Sequence, residues 1–343
     1  MFLPRLKPVA SALAYGARIL ATTITLASCL VIQAKAEPTP TLRFASRPQA
    51  EKLLSRQDDF SQRLSPFDRA ARLKQVQDPG RVEFLRFVKT NAQEWSAAET
   101  ERLHKAFDSI RSHLGGIARL LPAEVWCVKT SGNEEGHAAY TRGNMIVLPP
   151  SRTSATVTGL ERLLAHELFH VLSRARPRLR DELYAVIGFE RTQELQWPAS
   201  LKDRRITNPD CPVITHAIRV SHGGKTYWGF PVLYSRTSAY DASKGGEFFD
   251  YLEFRLLLEP SEKHARRGRL SGGKESAPLL KKTTEVEGFR DQVGWNTDYI
   301  LHPEEILADN FALLMDAKAA PKSPQILESM RRILREHAGI SSR

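Results

Sequence analysis

The stretch Leu163-Leu164-Ala165-His166-Glu167-Leu168-Phe169-His170-Val171-Leu172 sets three ionisable residues into an otherwise uncharged, apolar run. At 3.6 residues per turn, the two histidines lie one above the other on a single helix face. The apolar flanks require this helix to be buried, and buried imidazoles and carboxylates need partners. One partner satisfies both rings at once: a zinc ion takes imidazole nitrogens offered four residues apart on a helix. Glu167 sits beside that face, placed to exchange protons with a water molecule there.

The surrounding pattern supplies a setting for this helix. Residues 67–121 read as helical, with a capping box at Ser96-Ala97-Ala98-Glu99 and apolar residues Leu103, Phe107, Ile110 and Leu114 at helical spacing before Gly115-Gly116. Strands are expected over 124–129 and 144–148, joined by a polar, glycine-bearing loop at 130–143. The histidine-bearing helix is expected over about 154–176, stopped by Pro177, and another over 179–187. Aromatic and β-branched segments at 213–220, 226–234 and 248–258 suggest strands, although the third also suits a helix. Residues 264–282 are basic and rich in Gly and Ser, as in an exposed loop. Helices at 303–317 and 324–337 close the chain, with Gly339 at a capping position.

The first 36 residues carry Arg5, Lys7, Arg18 and Lys35 and no acidic residue. The apolar run 19–32 followed by Ala34-Lys35-Ala36 has the form of a cleaved export signal, which implies a periplasmic or extracellular protein. A second reading makes Leu26-Ala27-Ser28-Cys29 a lipidation site. Residues 37–65, rich in Pro, Ser, Gln and charge, are expected to be a poorly ordered lead-in to a single domain at 66–343. The formal charge of +11 is spread along the chain. It suits contact with an anionic cell envelope and does not form the concentrated basic patch that a nucleic-acid binder needs. Cleavage would leave Cys127 and Cys211, either paired or as two free thiols.

The His166-Glu167-Leu168-Phe169-His170 pattern resembles the signature of the zincin metallopeptidases. That resemblance implies an α+β fold, with a small mixed sheet packed on the HExxH helix and its edge strand lining the cleft. A mainly helical C-terminal part would supply the third ligand. Ser173 and Arg176 stand where the metzincin subclass has Gly and His, which excludes that subclass. The stretch Glu305-Ile306-Leu307-Ala308-Asp309 resembles the gluzincin third-ligand helix. The resemblance implies that Glu305 binds zinc and Asp309 supports a ligating histidine. Independently, Glu305 and Asp309 share a helix face. Glu190, 20 residues after His170 with Glu194 four further on, is the alternative. Asp298 matches the aspzincin pattern poorly. A ligand at Glu305 implies an insertion at about 190–298.

An oxyanion on zinc needs a second electrophile. Tyr299 and His302 are the first candidates, with Tyr140, His216 and His222 behind them. The expected function is a zinc-dependent peptidase acting on peptides or proteins outside the cytoplasm, with His166, His170 and Glu305 as ligands and Glu167 as base. Peptide deformylase, with Cys127 as an upstream ligand, lacks its local cysteine motif here. A zinc-stabilised envelope binding protein without turnover is the reading from another class.

Overall fold

The computed structural model describes residues 40–261, 277–316 and 318–340. The expected export signal, Cys29 and most of the basic 264–282 segment lie outside these residues. The described part is α+β, with two sheets.

The first sheet is built from β1 (Thr41–Phe44), β2 (Ala92–Gln93), β3 (Glu124–Thr130), β4 (Tyr140–Arg142) and β5 (Met145–Leu148). Its order is β1-β3-β5-β4, with β2 pairing with the end of β3. β1, β3 and β5 run parallel, whereas β4 is antiparallel to β5 and forms the edge. Side chains alternate between faces every residue along a strand, and both faces here are covered. Ile146 and Leu148 join the main core, while Met145 and Val147 face a second cluster with Phe60, Phe84 and Val88.

Against the first of these faces lies the helix Val157–Ala175, which carries both histidines. Thr156 caps it by accepting a hydrogen bond from the Gly159 N–H at 3.2 Å. It is wedged between the helices Ala97–Leu114 and Pro303–Leu314, with β4 and β5 alongside. Leu164, Leu168, Phe169, Val171 and Leu172 are fully buried there. This packing fixes the rotation of the helix, and hence the direction in which His166 and His170 point.

The residues between these helices form a second, antiparallel sheet ordered β10-β9-β8-β7-β6: β6 (Phe189–Arg191), β7 (His216–His222), β8 (Lys225–Ser235), β9 (Leu252–Pro260) and β10 (Leu280–Lys281). Gly223 and Gly224 turn β7 into β8 with φ of 56° and 72°, the left-handed pair that a two-residue hairpin demands. Ile218, Val220, Leu256 and Leu258 lay one face of this sheet on the main core. The segment expected at 248–258 starts as a short 3-10 turn, Phe248–Tyr251, before becoming β9.

Two expectations need correction. From residue 40 on, the stretch read as a poorly ordered lead-in contains β1 and the helices Arg47–Leu54 and Asp59–Arg63. Its polar composition hid the buried anchors Leu42, Ala45, Ala50, Leu54 and Phe60. The loop at 130–143 contains the edge strand β4, whose Tyr140, Thr141 and Arg142 are all buried.

The capping box read at Ser96 is present, and it does more than close a helix. Glu99 accepts from Ser96 N–H at 2.9 Å, from Thr153 Oγ1 at 3.0 Å and from Lys129 Nζ at 2.8 Å, tying the helix to β3. Burial pushes the Glu99 carboxyl up, but Lys129 and the Ser96 and Thr153 donors outweigh it and hold it down to about 2. Its stabilising effect is therefore present above about 4.5, its ordinary value, and is lost as pH falls toward 2. Urea unfolding should show Glu99→Gln less stable than the parent near neutral pH, with the gap closing across that acid range. Ser96→Ala should cost about 1 kcal/mol at neutral pH.

Candidate metal centre

His166 and His170 share one face of their helix, with ring centroids 4.8 Å apart. The helix Pro303–Leu314 crosses that face and brings its first turn to the rings. Glu305 Oε2 lies 3.2 Å from His166 Nε2 and 3.7 Å from His170 Nε2. The other nitrogen of each ring is held by a carboxylate from the same helix. Asp309 Oδ1 is 3.0 Å from His166 Nδ1, and Glu304 Oε1 is 3.0 Å from His170 Nδ1. Both rings are thereby oriented with Nε2 toward Glu305.

These carboxylates are themselves fixed. Asp309 Oδ2 accepts from Thr297 Oγ1 at 2.5 Å, and Glu305 Oε1 accepts from Asn208 Nδ2 at 2.6 Å. Glu304, only 2% exposed, accepts from the Ser173 and Tyr184 hydroxyls. The first turn of a helix favours negative charge, which helps to hold two adjacent buried carboxylates there. Burial raises the Glu305 carboxyl, but His170 and His166 outweigh it and bring it down to about 2. Burial likewise works against a charged His170, yet the carboxylates of Asp210, Glu305 and Glu304 raise it to about 9.

The residues present fit a zinc ion. Two donors about 2.1 Å from a tetrahedral ion lie roughly 3.4 Å apart, close to the separations of Glu305 Oε2 from the two Nε2 atoms. His170 Nε2 is completely buried and has no hydrogen-bond partner among the described residues, a costly state for an imidazole nitrogen unless something else engages it. Two imidazoles and one carboxylate are also a donor set that zinc takes in sites with an open position.

Glu167 lies beside this cluster, 3% exposed, with Oε2 accepting from Thr141 Oγ1 of β4 at 2.7 Å. One of its oxygens, a His170 nitrogen and an Asp210 oxygen are within 4.8 Å of one another. Tyr299 is half exposed at the rim, its ring 6.5 Å from that of His166. The Glu305 charge, then burial, raises its phenol, which stays protonated.

Other sequence candidates are placed elsewhere. Glu190, the alternative ligand, is exposed on β6 and paired with Arg219 at 3.2 Å. Asp298 is solvent-facing and bound to Arg290. His302, considered as a transition-state stabiliser, caps the Glu305 helix instead: its Nδ1 accepts the Glu304 N–H at 3.1 Å, and burial lowers its pKa to about 3. Tyr140 points to the far side of the sheet and meets Glu134, His216 pairs with Asp181, and His222 meets the Glu285 carbonyl. Cys127 and Cys211 are both free. Arg174 turns inward to the Pro209 and Asp210 carbonyls.

Glu304, Thr141, Asn208 and Asp210 belong to the site and were not read from the sequence. Glu304 had a signal, since it stands two residues after the cap and next to Glu305. The other three reach the site only through tertiary contacts from β4 and from the irregular segment before β7.

Residues 93–178 match the family model of the eCIS core domain, the core of extracellular contractile injection systems. The match takes in β3 to β5 and the whole histidine-bearing helix, and ends before the helix carrying Glu305. No curated protein and no solved structure matches the chain.

Ligand identity is tested by equilibrium dialysis against zinc. Glu305→Ala should weaken binding by at least about 100-fold, and Asp309→Asn by roughly 10–100-fold. Glu190→Ala should leave it unchanged, and a loss there equal to that of Glu305→Ala would reverse the assignment.

Proposed function

We propose that this chain is a zinc-dependent metallopeptidase of zincin-like, gluzincin-like design, acting outside the cytoplasm. One observation carries the reading: Glu305 Oε2 converges on His166 Nε2 and His170 Nε2, while Asp309 and Glu304 hold the outer nitrogens. Zinc held by these three residues would supply Lewis acidity, polarising the scissile carbonyl and lowering the pKa of water. Glu167 then accepts a proton from the attacking water and returns it to the leaving amine. Thr141 fixes the Glu167 carboxylate for that exchange. The Tyr299 phenol, protonated at the rim, is the donor available to the developing oxyanion. The zincin resemblance is consistent with a small mixed sheet whose edge strand runs beside the HExxH helix.

A second reading rests on the match at 93–178. The chain would then associate with the proteins of an injection assembly, its zinc serving stability without turnover. The presence of Glu167, which a purely structural zinc site does not need, favours the peptidase.

Glu167→Gln separates the two. The variant should retain stoichiometric zinc and lose about 10²–10⁴-fold of the hydrolysis rate on a mixed peptide library. Undiminished hydrolysis in the variant would sink the mechanism. A zinc-loaded parent inactive on every peptide tested would favour the structural reading.

A further inference from the structure

The segment 206–212 crosses the candidate metal centre between two openings. On one side lies a cavity bordered by Tyr140, Phe248, Phe249 and Tyr299. On the other lies one bordered by Ser173, Arg180, Tyr184 and His216. Residues of the segment line both cavities, with Asp210 common to the two. Its start is pinned: the Thr207 N–H and hydroxyl donate to Asp68, and the Thr207 carbonyl accepts from Arg72 at 3.1 Å. Farther along, Asn208 Nδ2 donates to Glu305 Oε1, and Arg174 grips the Pro209 and Asp210 carbonyls.

Asp210 is the residue that matters. Its Oδ1 accepts the Thr141 N–H at 2.5 Å. Thr141 stands on the edge strand β4, so this amide is one that an extended peptide adding to the sheet would use. The Asp210 carboxylate also comes within 4.8 Å of both a His170 nitrogen and a Glu167 oxygen. His170 Nδ1 is engaged by Glu304, and its Nε2 is buried without a hydrogen-bond partner among the described residues. An additional carboxylate thus stands beside His170 and the general base.

We propose that 206–212 is a built-in strap over the metal centre, with Asp210 held beside His170 and Glu167 where water and substrate would otherwise enter. The proposal rests on the metal-site reading above and adds its regulation. With the strap down, access to the centre is restricted and turnover is slowed, and full activity requires the strap to release Thr141, Arg174 and Glu305. Three protein donors leave a zinc ion one free position, and it is access to that position that the strap limits.

The test uses the full chain loaded with cobalt(II) in place of zinc, its visible absorption read while acetohydroxamate, a small metal-chelating probe, is added. The parent spectrum should respond weakly, and Asp210→Ala should bind the probe at least about tenfold more tightly. Asp210→Asn, which keeps an acceptor for the Thr141 N–H, supplies the same comparison if the alanine variant folds poorly. Arg174→Ala, which frees the strap and leaves Asp210 in place, should shift affinity in the same direction. Equal probe affinity in the parent and all folded variants would overturn the strap while leaving the metal centre standing. A parent that takes up no cobalt would overturn the metal-centre reading, and the strap with it.

Discussion

Two adjacent glutamates, buried in the first turn of one helix, are the constraint on which the rest of the site depends. Glu304 and Glu305 are 2% and 1% exposed. Burying two carboxylates side by side is costly unless positive charge and hydrogen bonds meet them. The helix N-terminus contributes some of what is needed. The two histidines contribute the rest: Glu304 holds the outer nitrogen of His170, and Glu305 stands between the inner nitrogens of both rings. A divalent cation bound to Glu305 and the two Nε2 atoms would complete the compensation and engage the buried His170 Nε2. The same residues that make the cluster costly without a cation would favour binding one.

The fold serves this arrangement by fixing two helices against one another. The HExxH helix is held by the first sheet and by Ala97–Leu114, and the Glu305 helix crosses it with Ile306, Leu307 and Phe311 fully buried. Rotating either helix by one residue would swing its functional side chains about 100° away. The second sheet, inserted between these helices in sequence, keeps one face on the same core and delivers the segment 206–212 across the cleft. Edge strand β4 completes the enclosure, with Thr141 touching both Glu167 and Asp210.

Much of this was legible where a local period carried it. The HExxH helix, the helices beginning at Pro303 and Pro324 and the Ser96 capping box all have signals confined to a few residues, and each stands within a few residues of its expected bounds. Glu305 and Asp309 could be singled out because one helix face puts both toward the same partner. Legibility failed where placement depends on distant chain. β4 is three residues long and looked like loop, because its burial comes from helices far away in sequence. Residues 40–65 looked polar because their apolar anchors are sparse. Asp210 and Asn208 sit in a Pro-punctuated turn with no period, so nothing local announces that they reach Glu305 and Thr141. His302 stands near Glu305 because it caps that helix and satisfies the Glu304 N–H, a role that spacing alone did not announce.

The central claim is that His166, His170 and Glu305 together hold a zinc ion. X-ray absorption at the zinc edge of the purified, zinc-loaded chain tests it most directly, because that measurement counts scatterers by type. The account predicts a shell of nitrogen and oxygen at about 2.0–2.2 Å, with the outer-shell pattern of two imidazoles and no sulfur. A sulfur shell near 2.3 Å, which would bring in Cys211 or Cys127, would contradict it, as would a pattern with fewer than two imidazoles.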